Sequence, residues 1–152
     1  QRVHWGFKEI RYGLNDRVVE MLADLYPNGR FVFIVRHPVD VIASKISARA
    51  SEGIEADART WVAQNTYFLR FSRENSESSS IIHYEELISY DSQQLSRLFK
   101  WLGFALSDRQ RDIIETTKPS YKGRPRPAKL TDDEINDINK ITREIRGELG
   151  YS

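Results

Sequence analysis

One arginine and one serine stand where they could bind a phosphate group. Arg36 directly follows the apolar run 31–35 (FVFIV), and His37-Pro38 then begins a stretch with helical spacing that carries Ser44. An arginine fork can hold a phosphate through two parallel hydrogen bonds, and a helix N-terminus beside it adds free N–H groups. Ser44 lies about two turns into this helix, so its hydroxyl could reach the same anion along the helix flank. The alternative is that Arg36 only forms a structural ion pair.

A second cationic segment comes late in the chain. Residues 118–129 (KPSYKGRPRPAK) contain five cations and three prolines but no acidic residue. The prolines and the glycine argue against a helix, so the segment is predicted to be a loop. Its cations, Lys122 and Arg124 among them, therefore have no acidic partner within the segment. The alternative is a solvated basic loop without a ligand.

Strands and helices alternate along the chain and would position these residues. Residues 31–35 are typical of a parallel strand buried on both faces, and short strands are also predicted at 5–10 and 81–84. Spacing of apolar residues predicts helices between and after these strands. The pattern predicts an α/β fold with a parallel sheet and helices on both faces. Ligands bind such sheets beyond the carboxyl ends of the strands, which is where Arg36 stands.

The first and last helices have the clearest local signals. Asn15 or Asp16 can cap the first helix, whose apolar positions are expected to be Val18, Leu22 and Leu25. The last helix begins with a capping box, Thr131-Asp132-Asp133-Glu134, and carries its apolar residues on one side.

The composition limits the class of protein. At 152 residues, the chain is expected to form a single, partial domain spanning residues 1–152, and 39% hydrophobic residues allow a buried core. A net charge of +1 does not favour a general nucleic-acid binder. The three histidines lack carboxylates at metal-ligand spacing and there is no cysteine, so no metal site is predicted. No apolar run approaches the roughly 20 residues of a membrane-spanning helix.

The stretch 31–44 (FVFIVRHPVDVIAS) resembles the 3′-phosphate-binding element of sulfotransferases that use 3′-phosphoadenosine 5′-phosphosulfate (PAPS). In that family, an apolar strand ends in Arg, followed by x-Pro-x-Asp and by a Ser eight positions after the Arg. The matching positions here are Arg36, Pro38, Asp40 and Ser44. The resemblance implies that Arg36 and Ser44 bind the 3′-phosphate of the nucleotide, in a P-loop-NTPase-like α/β fold.

Further segments are similar to this family and follow in the same order. HYEEL (83–87) resembles its Tyr-Glu-Asp-Leu segment, which implies that Tyr84 lies near the adenine, and 95–104 (LSRLFKWLGF) resembles the helix and turn that come next. Residues 122–134 (KGRPRPAKLTDDE) resemble the late basic loop and the last helix of the family. The resemblance implies that this loop contacts the 3′-phosphate through Lys122, Gly123 and Arg124.

The first strand resembles the segment that carries the acceptor-activating residue of many sulfotransferases. Residues 5–13 (WGFKEIRYG) have Ile10 where cytosolic members place a catalytic histidine, whereas carbohydrate-modifying and bacterial relatives often use a Glu. Glu9 is therefore the candidate general base, and Lys8 or Arg11 could supply a cation beside the sulfuryl group. The alternative is an ion pair at a strand end.

One part of the family pattern has no counterpart in this sequence. The Gly-containing, Lys-bearing loop that binds the 5′-phosphosulfate precedes the first matched strand in the family, and no such segment is found here. We therefore expect the sequence to enter the fold downstream of its first βα unit, so that these residues alone could lack activity. Two other functions stay open: a non-catalytic module that binds adenosine 3′-phosphate, and a P-loop-type nucleotide kinase relative, although the Walker loop that a kinase requires is missing.

The resemblance also implies the partners of the protein. PAPS would be the co-substrate, no metal would be needed, and the acceptor would be a hydroxyl or amine of a carbohydrate, a glycolipid or a small molecule. A cytoplasmic enzyme of bacterial type is expected, with the Golgi lumen as the alternative.

Overall fold

The structure, a computed structural model, describes residues 6, 8, 16–89, 92–116 and 127–151. Most of the strand predicted at 5–10 lies outside these residues. The elements in the described parts are, in chain order, α1 (Asp16–Leu25), β1 (Phe31–Val35), α2 (Pro38–Ser47), α3 (Ile54–Glu74), β2 (Ser79–His83), α4 (Tyr84–Ser89), α5 (Ser92–Trp101), α6 (Asp108–Thr116) and α7 (Asp132–Glu148).

The two strands form a parallel pair, as the sequence predicts. Their register runs from Phe31 beside Ser79 to Val35 beside His83, and α2 and α3 make the connection between them. Parallel neighbours need such a crossover because the chain must return to the same end of the sheet. Both strands therefore finish at the same edge, one residue before Arg36 and Tyr84 respectively.

The main hydrophobic core lies on one face of this sheet. Phe33 and Val35 of β1 are buried there against α3 and α7, and the rings of Phe33 and Phe68 stack with centroids 4.4 Å apart. Side chains alternate between faces along a strand, so Ile34 points the other way and keeps 47% of its surface exposed. The prediction that β1 is buried on both faces is thus wrong at Ile34.

Helix α5 lies on the other side of β2 from the main core. Ile82 of β2 and the side chains of Leu95, Leu98 and Trp101 line a cavity of about 280 Å³ between strand and helix. The sheet therefore has helices on both faces, as predicted, although the covering on the α5 side is less complete.

Local signals at the helix ends agree well with the structure. At α7, the Thr131 hydroxyl accepts a hydrogen bond from the Glu134 N–H, and the Glu134 carboxylate accepts one from the Thr131 N–H. This confirms the predicted capping box.

The predicted apolar positions of α1 are only partly right, because Val19 is buried at 5% exposure whereas Leu25, at the end of the helix, is 63% exposed.

A buried carboxylate ties the start of α3 to the end of α2. Asp57 is 2% exposed and accepts hydrogen bonds from the Lys45 ammonium and, at 2.6 Å, from the Ser51 hydroxyl. Burial by itself would raise the pKa of Asp57, but the hydrogen bonds and the charge of Lys45 outweigh it and hold the pKa below its ordinary value. The ion pair thereby fixes α2, which carries the candidate site, against α3.

Candidate functional site

Arg36 and Tyr84 meet at the edge where both strands end. The last residue pair of the sheet is Val35 beside His83, so Arg36 and Tyr84 are the next residues of neighbouring strands. The Arg36 guanidinium lies over the Tyr84 ring, with Cζ 4.7 Å from the ring centroid. This is a cation–π contact, which holds the guanidinium without using its N–H donors.

The hydrogen-bonding capacity of Arg36 is largely unused in the described residues. Among the described residues it forms an ion pair with Asp40, at 3.7 Å between Nη2 and Oδ2, and both side chains are partly exposed. Such a long, solvated pair contributes little. The Nε atom is buried and has no hydrogen-bond partner among the described residues. A structural ion pair therefore exists, as the alternative for Arg36 requires, but it leaves donors available for an anion.

Ser44 is related to Arg36 through Asp40 of α2. Asp40 and Ser44 are four residues apart, so they stand one above the other on the helix, and Asp40 in turn contacts Arg36. Ser44 is exposed. The structure thus brings Arg36 and Tyr84 together at the carboxyl ends of the strands, and Ser44 lies one helical turn beyond the residue that pairs with Arg36.

The peptide unit between Arg36 and His37 is held by side chains at both of its polar atoms. The Trp61 indole N–H of α3 donates to the Arg36 carbonyl at 3.0 Å. The His37 N–H donates to Oε1 of Glu85 in α4, also at 3.0 Å. This unit joins β1 to α2, since His37 precedes the first residue of the helix. The junction that carries the candidate phosphate site is therefore fixed from two other elements.

The C-terminal residues contact the same junction. The Tyr151 hydroxyl donates to Oε2 of Glu85 at 3.0 Å, and its ring lies edge-on against the rings of His37 and His83. His83 Nε2 donates to the Leu149 carbonyl at 2.7 Å, because a carbonyl can only accept. We refer to Leu149–Tyr151 with these contacts as the C-terminal latch.

The electrostatic environment keeps Glu85 charged and Tyr151 protonated. Burial raises the pKa of Glu85, but hydrogen bonds from backbone N–H groups and from Tyr151, with the charge of Arg36, hold it below its ordinary value. Burial and the hydrogen bond to Glu85 raise the pKa of Tyr151 well above its ordinary value. Burial lowers the pKa of His37, so its ring is uncharged at neutral pH.

Sequence reasoning missed Glu85, Trp61 and Tyr151 as parts of this site. Glu85 had a usable signal, because it follows Tyr84 directly at the carboxyl end of β2. Trp61 is a core residue at 3% exposure that also donates a hydrogen bond to the Arg36 carbonyl. Nothing in the local pattern around Tyr151 indicates that it returns to the strand ends.

Several predicted site residues cannot be compared with the structure. Glu9 lies outside the described residues, and Lys8 is exposed. Three residues of the basic loop also lie outside the described residues: Lys122, Gly123 and Arg124. The segment that follows that loop is described, and the Ala128 N–H donates to the Ala43 carbonyl of α2 at 3.2 Å. Where the structure describes the chain, it shows no cluster of three or more His, Cys, Asp or Glu that could hold a metal, and no helix long and apolar enough to cross a membrane.

Comparison with known proteins decides the family. The model of the sulfotransferase family matches residues 15–108, which include Arg36, Ser44 and Tyr84 and cover more than half of the chain. The chain belongs to the sulfotransferase family. No curated protein matches this chain significantly in sequence.

A solved structure agrees with this assignment at the level of the fold. The sulfotransferase domain from the curacin biosynthetic pathway is similar, with a TM-score of 0.66 at 19% sequence identity. The match covers 95% of this chain and 61% of that domain, so the chain spans less than two thirds of the length of its structural relative. The predicted α/β, P-loop-like fold is confirmed.

Proposed function

We propose that this sulfotransferase uses PAPS as its donor and transfers the sulfuryl group to a hydroxyl or amine. The proposal is based on the position of Arg36 and on its unused hydrogen-bond donors. Its guanidinium lies at the carboxyl end of β1, rests on the Tyr84 ring, and has a buried Nε without a partner among the described residues. A doubly charged phosphate would satisfy such a guanidinium through two parallel hydrogen bonds.

Ser44 supports a phosphate at this position. Its hydroxyl stands one helical turn beyond Asp40, on the edge that Arg36 borders, and it is exposed to a ligand. The 3′-phosphate is the group that distinguishes PAPS from ATP and other adenosine 5′-phosphates. A site built from Arg36 and Ser44 would thus select the sulfate donor over the nucleotides that a kinase uses. The Tyr84 ring offers an apolar face beside it for the adenine.

The basic loop is proposed to contact the same phosphate. Ala128 is anchored to Ala43, the residue before Ser44. Arg124 is four positions before Ala128, which limits the distance between them to about 14 Å at 3.3–3.6 Å per residue. Lys122, Gly123 and Arg124 are proposed to close over the 3′-phosphate from this anchor.

The transfer itself is proposed to be a direct displacement. The acceptor oxygen or nitrogen forms a bond to sulfur while the bond from sulfur to the 5′-phosphate oxygen breaks, which releases adenosine 3′,5′-bisphosphate. The acceptor proton passes to Glu9 as general base, and Lys8 stabilises negative charge on the oxygens of the sulfuryl group. The acceptor is expected to be a carbohydrate, a glycolipid or a small molecule.

Calorimetry with adenosine 3′,5′-bisphosphate tests the proposal. Arg36→Ala should weaken binding by about 10- to 100-fold, the scale of a charged hydrogen bond. Arg30→Ala is a matched control, because Arg30 stands at the other end of β1 and also lies over an aromatic ring, that of Trp101, at 4.8 Å. Equal affinities of wild type and Arg36→Ala would refute the phosphate site. Binding of this nucleotide without sulfuryl transfer from PAPS would favour the non-catalytic module instead.

A further inference from the structure

The relative placement of Arg36 and Ser44 depends on a single peptide unit. Arg36 precedes this unit and α2 follows it, so its orientation sets how the guanidinium and the serine hydroxyl face a common ligand. Both of its polar atoms are held by side chains from elsewhere, Trp61 and Glu85, each at 3.0 Å. A binding site requires this kind of support, because small errors in the position of its donors reduce affinity.

Glu85 is in turn held by the last described residue of the chain. Tyr151 donates to Oε2, the carboxylate oxygen that does not contact His37. Gly150 has a φ of 80°, in the left-handed region, and its turn after α7 allows Tyr151 to reach this oxygen. His83 holds the Leu149 carbonyl at 2.7 Å, so the C-terminal latch is attached to the end of β2 at two points.

We infer that Tyr151 is a positioning residue for the nucleotide site: through Glu85 it fixes the Arg36–His37 peptide and thereby the guanidinium that receives the 3′-phosphate. This inference rests on the proposed function, since it assumes that Arg36 binds that phosphate. Tyr151 does not contact the nucleotide in this account. It acts only on the geometry of the group that does.

The charges at the latch suit this role. The pKa of Glu85 lies below its ordinary value and that of Tyr151 above it. The hydrogen bond therefore joins a charged acceptor to a neutral donor throughout the neutral pH range, and bonds of this type are stronger than those between neutral groups. The His37 ring, whose pKa burial lowers, packs edge-on against the Tyr151 ring, with ring centroids 5.4 Å apart.

The test compares two ligands that differ only in the 3′-phosphate. Tyr151→Phe keeps the ring and removes the hydroxyl. We expect it to weaken adenosine 3′,5′-bisphosphate by about 3- to 10-fold, the scale of one lost hydrogen bond, and to leave adenosine 5′-phosphate within about twofold. A merely structural role for Tyr151 would weaken both ligands equally.

Two further variants make the comparison specific. Tyr26→Phe is the matched control, because Tyr26 precedes β1 and is therefore at the opposite end of the strand from Arg36; it should change neither affinity. In the Arg36→Ala background, Tyr151→Phe should have no additional effect, since the group that it positions is gone. An additional loss of affinity in that background would overturn the inference.

The failure of this inference can be told apart from that of the proposed function. If wild-type protein does not prefer adenosine 3′,5′-bisphosphate over adenosine 5′-phosphate, the proposed function is wrong. If wild type has the preference and Tyr151→Phe retains it in full, only the role of Tyr151 is wrong. Should Tyr151→Phe unfold, Glu85→Gln replaces it in the same comparison. Loss confined to the ligand with the 3′-phosphate supports the inference, and equal loss for both ligands contradicts it.

Discussion

The guanidinium of Arg36 lies over the ring of Tyr84, with Cζ 4.7 Å from the ring centroid. The contact follows from the register of the parallel strands, which ends with Val35 beside His83 and so makes these residues neighbours. A cation with spare donors and an aromatic face are thereby presented together, as an adenosine 3′-phosphate requires. The predictions below examine the groups around this pair.

Ser44→Ala should weaken adenosine 3′,5′-bisphosphate by about 2- to 10-fold, because one hydrogen bond to the phosphate is lost. The thermal midpoint should not fall, since alanine is the better helix former at this exposed position. Calorimetry and thermal unfolding measure the two effects. Ser47→Ala is the control, because the Ser47 hydroxyl donates to the Ala43 carbonyl within the same helix, and it should leave the affinity unchanged.

Stability should fall in acid because of the ion pair between Lys45 and Asp57. The folded pKa of Asp57 is lowered from 3.8, so its stabilisation is complete above that value and is lost as the pH falls through the folded pKa. Asp57→Asn should reduce the free energy of unfolding by about 2–3 kcal/mol at pH 7 and flatten its acid dependence. Urea unfolding between pH 3 and pH 7 measures both.

The matched control for Asp57 is Glu55→Gln. Glu55 pairs with Arg59 on the same helix, but both side chains are about 70% exposed. Such a pair contributes a few tenths of a kcal/mol, so the variant should keep the stability and the acid dependence of wild type. An Asp57→Asn variant that behaves like this control would contradict the role of the buried pair.

The basic loop should be protected when nucleotide binds. Trypsin cleavage after Lys122 should slow by about 10-fold or more with saturating adenosine 3′,5′-bisphosphate, because cleavage requires the segment to leave the phosphate. Mass spectrometry of the fragments follows this site. Cleavage after Arg49, in the exposed turn that follows α2, is the control and should slow much less. Equal cleavage at Lys122 with and without nucleotide would mean that the loop is only solvated.

Glu9→Gln should reduce sulfuryl transfer by about 10²–10⁴-fold, the usual contribution of a general base. The affinity for adenosine 3′,5′-bisphosphate should stay constant, because Glu9 is proposed to act on the acceptor and not on the nucleotide. The assay is run in protein that carries a 5′-phosphosulfate loop. Turnover within a few-fold of wild type would show that Glu9 is not the base.

Much of the fold follows from short-range signals in the sequence. The apolar run 31–35 and the capping box at Thr131 each determine their element locally, and Arg36 and Tyr84 both follow directly on the ends of neighbouring strands. The predictions of burial were wrong where burial depends on residues that are distant in sequence but close in space. Ile34 is exposed because the covering on its face is incomplete, and Val19 is buried in α1 because of how that helix packs.

The residues that hold the site in place could not be predicted from the sequence either, because packing between distant segments determines them. The contact from Tyr151 to Glu85 joins residues 66 positions apart, and it depends on how α7 packs against α3 and α2 and where that helix ends. The contact from Trp61 to the Arg36 carbonyl likewise depends on how α3 lies against β1. Motif spacing identifies the ligand-facing residues, while packing determines the residues that hold them in place.

The most direct test of the central claim is a crystal structure with adenosine 3′,5′-bisphosphate bound. The account predicts that the 3′-phosphate lies within hydrogen-bond distance, about 2.7–3.2 Å, of both the Arg36 guanidinium and the Ser44 hydroxyl, with Arg36 still on the Tyr84 ring. A nucleotide bound elsewhere, or one whose 3′-phosphate contacts neither residue, would contradict it.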